Sequence, residues 1–170
     1  MPAAQGDGEG QAFDDLARRR VGELAPETDL DAMVVVFNAI RLANRITADV
    51  ESEVHRPRGL TWAGFRLLFT LWISGPLEPR DLARLSAVTR ASISSVLNTL
   101  ERDGLVERRR ESSDRRVVTV VLTAQGRRAV AGAFREHNER EAEWLAPLSR
   151  PELRSLGEML HRVLAGPHRR

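Results

Sequence analysis

The chain has 170 residues, of which 42% are hydrophobic, and its formal net charge is +2. This length suits one domain, or one domain with an additional helical layer. The absence of cysteine excludes disulfides, thiolate nucleophiles and cysteine-based zinc sites. No apolar run approaches the roughly 18–20 residues that span a bilayer, and the first residues lack the signal-peptide pattern, so we expect a cytoplasmic protein.

The first part of the chain predicts a tail and two helices. Residues 1–10 are rich in glycine and small or polar residues, and we expect them to be disordered. A short amphipathic helix is predicted over Gln11–Leu24. The segment "TDLD" then resembles a capping box with Thr28 as the cap, and it opens a longer helix that extends toward His55.

The next predicted helix carries an aromatic stripe. It begins at its N-cap, Thr61, and runs to about Ser74. Its aromatic side chains follow the spacing i, i+3, i+7, i+10, which puts them on one face; they are Trp62, Phe65, Phe69 and Trp72. Such a stripe is either part of the core or the lining of an apolar pocket. The segment "SGPLEP" that follows is typical of a turn.

Two helices of unequal length are predicted around a tight turn, over about Pro79–Leu85 and Thr89–Asp103, with Gly104 as the stop. Leu82 and Leu85 are expected to face inward. The second helix has an apolar stripe formed by Ile93, Val96, Leu97 and Leu100. Its opposite face is short, polar and basic, which is the layout of a helix-turn-helix whose second helix enters the major groove.

The residues of this second helix that we expect to contact DNA are Thr89, Arg90, Ala91, Ser92, Ser94, Ser95 and Asn98. The distribution of charge along the chain supports this interpretation. Residues 78–128 contain 11 arginines and 7 acidic residues, whereas residues 1–55 contain 5 arginines and 11 acidic residues. Charge asymmetry of this kind favours a polyanionic partner. Two packed surface helices with an ordinary solvated face are the alternative.

Two strands follow, over Leu105–Arg110 and Val117–Leu122, joined by the polar loop Glu111–Arg116. A hairpin directly after a recognition helix forms a wing that straddles the phosphate backbone. The negative potential of the minor groove attracts arginine from such a wing. We therefore expect the first strand's Arg108 and Arg110 to face phosphate.

At the tip of the wing, Asp114 adjoins Arg115 and Arg116. We expect the carboxylate to brace one of these arginines and to leave the other for the minor groove. The sequence leaves open which arginine is which.

The C-terminal part predicts two more helices. Thr123 caps a long helix, and "SRPE" at Ser149–Glu152 is a second capping box for the last one. His137 and Glu141 share one helix face, as Glu51 and His55 do, but two ligands each are too few for a metal site, so no metal is expected. His137 is expected to be a hydrogen-bonded core residue.

The sequence has no glycine-rich phosphate loop and no convincing nucleophile motif. We therefore expect neither an enzyme nor a bound cofactor.

The segment "LVERRRESSDRRVVTVVLTAQG" resembles the wing signature of the MarR family (multiple-antibiotic-resistance regulators), which is Asp-x-Arg, a β-strand, then Leu-Thr-x-x-Gly. Here Asp114 begins the first part, and Leu122-Thr123-Ala124-Gln125-Gly126 completes the second. The segment "LARLSAVTRASISSVLNTLERDGLV" also looks like the family's helix-turn-helix. The order of elements matches from about Thr28 to Ala165.

The resemblance implies a mainly α fold with a small β-hairpin wing, in which a winged helix-turn-helix domain is joined to a helical dimerisation layer. On this basis residues 1–10 are a tail, 11–60 are N-terminal dimerisation helices, 61–126 form the DNA-binding domain, and 127–170 are C-terminal dimerisation helices.

The implied function is a sequence-specific transcriptional regulator. It would bind a pseudo-palindromic operator as a homodimer and repress until a small aromatic or phenolic ligand releases it. The alternative is a winged-helix interaction module without DNA binding. The implied ligand pocket involves Trp62, Phe65 and Phe69, with Arg66 or Arg41 to hold a carboxylate.

The double variant Arg115→Ala/Arg116→Ala tests the wing. Removing these charges should weaken operator binding and flatten its salt dependence by about 0.9 in slope for each phosphate that the wing no longer neutralises. Arg19→Ala/Arg20→Ala removes the same charge from the first helix and should leave binding unchanged. Binding measured by fluorescence anisotropy over a salt series checks this, and an unaffected wing variant would overturn the wing assignment.

Overall fold

The computed structural model describes residues 6–110 and 118–167, and the chain divides into two compact units, Met1–Ile46 and Thr47–Arg170. In chain order the elements are α1 (Gly6–Leu24), α2 (Leu30–Val50), a π-helical turn (Glu51–His55), a 3-10 turn (Arg56–Arg58), α3 (Trp62–Ser74), α4 (Pro79–Ser86), α5 (Arg90–Arg102), β1 (Val106–Arg110), β2 (Val118–Leu122), α6 (Ala124–Trp144) and α7 (Arg150–Ala165). The predicted mainly α fold with a two-stranded hairpin is confirmed. No helix within the described residues is long and apolar enough to cross a membrane.

In the first unit, polar contacts join α1 to α2. The Asp14 carboxylate accepts from Asn38 Nδ2 at 2.7 Å and from Arg41 Nη2 at 3.1 Å. Asp29, rather than the predicted Thr28, caps α2, because its Oδ1 accepts from the Ala32 backbone N–H at 2.9 Å. The cap therefore lies one residue later than predicted.

The helix α1 begins at Gly6, so residues 6–10 are helical where a disordered tail was expected. Composition favoured disorder because glycine costs about 1 kcal/mol in a helix interior. Extending an existing helix by one residue is far less costly than nucleating a new one, so α1 continues through these glycines.

The core of the second unit is centred on α3, whose buried side chains share one hydrophobic cluster with those of the surrounding helices and strands. Leu67, Leu68 and Leu71 are almost completely buried. They belong to one core with buried residues of the other elements, among them Leu82, Ala83, Leu97, Leu100, Val120, Leu122, Val130 and Ala133. Thr61 caps α3 as predicted, since its hydroxyl oxygen accepts from the Gly64 N–H at 3.0 Å.

The hairpin is antiparallel and is extended on one side by a short bridge. Arg108 lies opposite Val120 in the register of β1 and β2. Val120 also pairs with Leu77, whose N–H donates to the Val120 carbonyl at 3.2 Å and whose carbonyl accepts from the Val120 N–H at 2.8 Å. The segment "SGPLEP" is therefore more than the turn that the sequence predicted, because Leu77 docks on the free edge of β2.

The start of α6 lies directly against the turn between α5 and β1. The Thr123 hydroxyl donates to the Gly104 carbonyl at 2.7 Å and accepts from the Gly126 N–H at 2.9 Å, which confirms Thr123 as the cap. A Cβ added at Gly126 would lie 1.9 Å from the Leu105 carbonyl oxygen. Position 126 therefore requires glycine.

The end of α2, from Thr47, belongs to the second compact unit. The Asp49 carboxylate accepts from the Arg140 guanidinium at 2.5 and 3.1 Å and from Trp144 Nε1 at 2.9 Å. The Arg140 bond is the main reason that the pKa of Asp49 is lowered. Val50 and Val54 are buried beside it, so this segment packs with the helices that follow.

The last helix, α7, leaves its apolar stripe exposed. Its predicted capping box forms: the Glu152 carboxylate accepts from the Ser149 N–H at 2.7 Å and from its hydroxyl at 2.6 Å. No residue of α7 is buried. Val163 and Leu164 are 64% and 78% exposed, so this amphipathic helix presents an apolar face that no other described residue covers.

Candidate nucleic-acid interface and ligand site

The outward face of α5 is the polar surface that the sequence predicts. Thr89 caps the helix, because its hydroxyl oxygen accepts from the Ser92 N–H at 3.2 Å. Ile93, Leu97 and Leu100 are buried in the core, and Val96 is half-buried. The predicted contact residues of this helix are all exposed; they are Thr89, Arg90, Ala91, Ser92, Ser94, Ser95 and Asn98.

The turn between α4 and α5 has the helix-turn-helix form. Ala87 adopts a left-handed conformation with φ 50°, and the Val88 N–H donates to the Ala83 carbonyl at 3.2 Å. Leu82 is buried as expected, but Leu85 is 49% exposed, so its predicted inward orientation is wrong. Buried Ser86 takes the inward position instead, where its hydroxyl donates to the Leu82 carbonyl at 2.6 Å.

The first strand of the wing exposes three consecutive arginines beside this face. Arg108 was expected to face phosphate, but its guanidinium donates to Asn98 Oδ1 at 2.9 Å and to Glu101 Oε2 at 2.6 Å. Arg109 Nε donates to Glu107 Oε1 at 2.7 Å within the same strand. Sequence reasoning missed Glu101, although it lies three residues after Asn98, on the same side of α5.

The wing tip lies outside the described residues, so the predictions for Asp114, Arg115 and Arg116 stay predictions. Arg110, at the end of β1, is exposed. Arg108 and Arg110 are two residues apart in β1, so they lie on the same face of the hairpin.

The aromatic stripe of α3 continues into α6 as one cluster. The Phe65 and Phe69 ring centroids lie 5.7 Å apart, and Phe69 lies 5.0 Å from Phe134. Phe65 is only 3% exposed and belongs to the core, whereas Trp62 and Phe69 are half-buried. The two interpretations of the stripe therefore apply to different residues: Phe65 is core, and Trp62 and Phe69 remain accessible.

Arg66 adds a positive charge to this cluster. Its guanidinium carbon lies 5.7 Å from the centre of the Trp62 ring, and burial lowers the pKa of Arg66. No carboxylate pairs with Arg66 among the residues that the structure describes. Because a partly desolvated guanidinium is costly without a partner, this position suits an anionic group held beside an aromatic ring.

Arg41, the alternative candidate for that role, lies in the first unit and is already paired. Its Nη2 donates to Asp14 at 3.1 Å, and its guanidinium carbon lies 5.9 Å from the Phe13 ring centre. Of the two arginines, Arg66 is therefore the one without a carboxylate partner among the described residues.

Two buried histidines stack beside Phe65. The His55 and His137 ring centroids are 5.3 Å apart, and His55 lies 4.2 Å from Phe65. His137 Nε2 lies 3.0 Å from Glu141 Oε1, which confirms it as a hydrogen-bonded core residue. Neither ring nitrogen of His55 has a partner within the described part of the chain. Burial, with smaller effects from His137 and Arg58, lowers the pKa of His55 to about 4.

No group of three histidine, cysteine or acidic side chains with metal-binding geometry occurs among residues 6–110 and 118–167.

Comparison with known proteins agrees with this geometry. The model of the MarR family matches residues 60–118, which run from just before the aromatic helix α3 to the first residue of β2. The uncharacterised HTH-type transcriptional regulator YwaE of Bacillus subtilis is 32% identical over 140 residues, covering 82% of each chain. The chain belongs to the MarR family. It is a transcriptional regulator of that family, whose members are regulators rather than enzymes.

Two further similarities bear on the site. The HTH-type transcriptional repressor Rv2887 of Mycobacterium tuberculosis is 34% identical over 125 residues, covering 72% of this chain and 90% of that protein. The crystal structure of the regulator NadR in complex with 4-hydroxyphenylacetate superposes with a TM-score of 0.67 at 25% identity, covering 78% of this chain and 94% of NadR. The MarR fold, with its DNA-binding winged helix, is therefore shared.

The buried His55 predicts a pH-dependent stability. Its folded pKa, about 4, lies below the ordinary value of 6.5, so the unfolded chain binds the proton first as the pH falls. Stability is full above pH 6.5 and falls between pH 6.5 and about 4; at about 1.4 kcal/mol per pKa unit, the loss is roughly 3 kcal/mol.

The variant His55→Phe keeps the ring stack and removes the titration, so its free energy of unfolding should vary less over this range. Urea denaturation at a series of pH values measures both proteins. An equal pH dependence in the variant would show that His55 is not the responsible group.

Proposed function

We propose that this regulator is a repressor that binds a pseudo-palindromic operator as a homodimer and is released by a small aromatic acid. The observation that carries the proposal is the exposed polar face of α5 beside the arginines of β1. Short hydroxyl and amide donors on a groove-sized helix suit base edges, and flanking arginines suit phosphates.

The start of α5 supports phosphate contact independently of base reading. Arg90 is the first residue of the helix and is exposed, next to backbone N–H groups at the positive end of the helix dipole. The only carboxylate on α5 itself, Glu101, is neutralised by Arg108. The helix can therefore approach a polyanion without an unpaired negative charge on its outer face.

The homodimer is supported by apolar surface that the chain leaves uncovered. Large exposed apolar side chains occur on three helices: Phe13 and Leu16 on α1, Val35, Val36, Phe37 and Ile40 on α2, and Met159, Leu160, Val163 and Leu164 on α7. Exposed stripes of this kind mark interaction surfaces. A second copy, paired through these terminal helices as the family resemblance implies, would bury them and set the spacing of two recognition helices at about one helical turn of DNA, ~10 bp.

The effector is inferred from Arg66 and its surroundings. An unpaired, partly desolvated guanidinium beside Trp62 offers a charge for a carboxylate and a surface for an aromatic ring. NadR, which is similar to this chain over most of its length, binds 4-hydroxyphenylacetate. A repressor of this kind acts on the chromosome, so the proposal also assigns the protein to the cytoplasm.

Binding-site selection from random DNA duplexes tests the DNA-binding part. We expect enrichment of one inverted-repeat sequence, and a salt-dependent affinity for it. Analytical ultracentrifugation of the complex should give two chains per duplex. Failure to enrich any duplex at low salt would reject DNA binding and leave an interaction module as the explanation.

The variant Arg66→Met tests the effector part. An aromatic acid that releases the wild-type protein from its selected operator should need about a 10- to 100-fold higher concentration to release the variant, since a charged hydrogen bond contributes about 1.5–3 kcal/mol. Operator affinity without effector should stay the same. Arg135→Met, at an exposed arginine on α6, is the matched control. Equal release of both variants would exclude Arg66 from the ligand site.

A further inference from the structure

Three side chains join the recognition helix α5 to the first strand of the wing. Arg108 Nη2 donates to Asn98 Oδ1 at 2.9 Å, and Arg108 Nη1 donates to Glu101 Oε2 at 2.6 Å. Asn98 and Glu101 are three residues apart, so both face the same side of α5. Asn98 and Arg108 are exposed, so this contact lies on the surface proposed to meet DNA.

The chemistry of arginine determines how the Asn98 amide is turned. A guanidinium has five N–H donors and no acceptor. The Asn98 atom that meets Arg108 must therefore be the carbonyl oxygen, and its NH₂ group must point away. No described residue accepts a hydrogen bond from that NH₂ group. Asn98 thus offers donors at the surface, while its oxygen is directed at Arg108, which takes one of the two lone pairs.

Arg108 is fixed both at its backbone and at its guanidinium. The Arg108 backbone lies in the hairpin opposite Val120, which is itself fixed on its other side by Leu77. The second arm of the guanidinium is bound to Glu101, so moving Arg108 away from Asn98 breaks two hydrogen bonds, one of them to a carboxylate. The orientation of the Asn98 amide therefore depends on the wing as well as on α5.

We propose that Arg108 is a positioning residue that turns the Asn98 amide so that its NH₂ group reads hydrogen-bond acceptors in the major groove. This rests on the proposed function, in which α5 enters that groove. An unrestrained asparagine reads adenine with both atoms: its oxygen accepts from N6 and its NH₂ donates to N7. With the oxygen directed at Arg108 and the NH₂ group directed away from it, the donor half of the amide is favoured for base contact.

The restriction changes which bases suit this position. Guanine presents two acceptors, N7 and O6, so it becomes at least as good a partner as adenine. Cytosine presents an N4 donor and is disfavoured. The wing therefore influences sequence preference at a base pair that its own side chains do not read.

Selection on wild-type protein and on Arg108→Ala tests this. The base pair that loses its preference in Asn98→Ala identifies the position that Asn98 reads. At that base pair Arg108→Ala should shift the preference toward adenine by about fivefold or more, the lower end of a typical single-base effect. In the Asn98→Ala background, Arg108→Ala should have no further effect on this preference.

Arg110→Ala is the matched control, because it removes the same charge from the same strand. It should lower affinity for all sequences and leave the base preference unchanged. If Arg108→Ala behaves in the same way, with a salt slope smaller by about 0.9 and an unchanged preference, Arg108 contacts phosphate in the complex and the proposal is wrong.

Nuclear magnetic resonance of the protein without DNA separates this proposal from the function on which it rests. Removal of the hydrogen bond to Oδ1 should change the Asn98 side-chain ¹³Cγ and NH₂ shifts in Arg108→Ala but not in Arg110→Ala. Unchanged shifts overturn the proposal even where the wild-type protein selects an operator. A wild-type protein that selects no duplex instead rejects the proposed function.

Discussion

The close contact between Gly126 and the Leu105 backbone is the constraint on which the arrangement of the DNA-binding surface depends. Any side chain at position 126 would overlap the Leu105 carbonyl oxygen. The contact is reinforced by Thr123, which caps α6 and at the same time binds the Gly104 carbonyl at the end of the recognition helix. One short segment, "LTAQG", therefore fixes three directions: that of α5, that of the wing and that of α6. This gives a physical reason for the Leu-Thr-x-x-Gly spacing.

Three of the arginines on this surface are paired within the protein before any partner arrives. Arg102, Arg108 and Arg109 each pair with a nearby carboxylate, and the Arg108 pair also holds a neutral amide. Exposed ion pairs contribute only about 0–1 kcal/mol each to stability. The pairs do, however, restrict geometry, because each holds a long side chain in one position. The side chains of this surface are therefore held in defined positions before DNA binds, rather than forming a diffuse positive patch.

The sequence predicted the structural features that depend on a few neighbouring residues. It did not predict the contacts that form between residues far apart in the chain. The caps Thr61 and Thr123 were correct because a hydroxyl and a nearby N–H suffice to make them. The exposed face of α5 followed from helical periodicity alone. In contrast, the bridge formed by Leu77 requires the free edge of β2, more than forty residues later in the chain. The Arg108–Asn98 contact likewise joins a strand to a helix, and no local pattern indicates it.

The same packing would give the proposed ligand a way to act on the DNA-binding surface within the second unit. The aromatic side of α3 meets α6 through Phe69 and Phe134, and α6 begins at the Gly126 contact that fixes α5. A ligand held by Arg66 that displaces α3 relative to α6 would therefore strain a junction in which backbones already touch. Packed interfaces of this kind respond by switching between discrete arrangements rather than by bending. A tenfold loss of operator affinity requires only about 1.4 kcal/mol of difference in ligand binding between two such arrangements, which is within the contribution of one charged hydrogen bond.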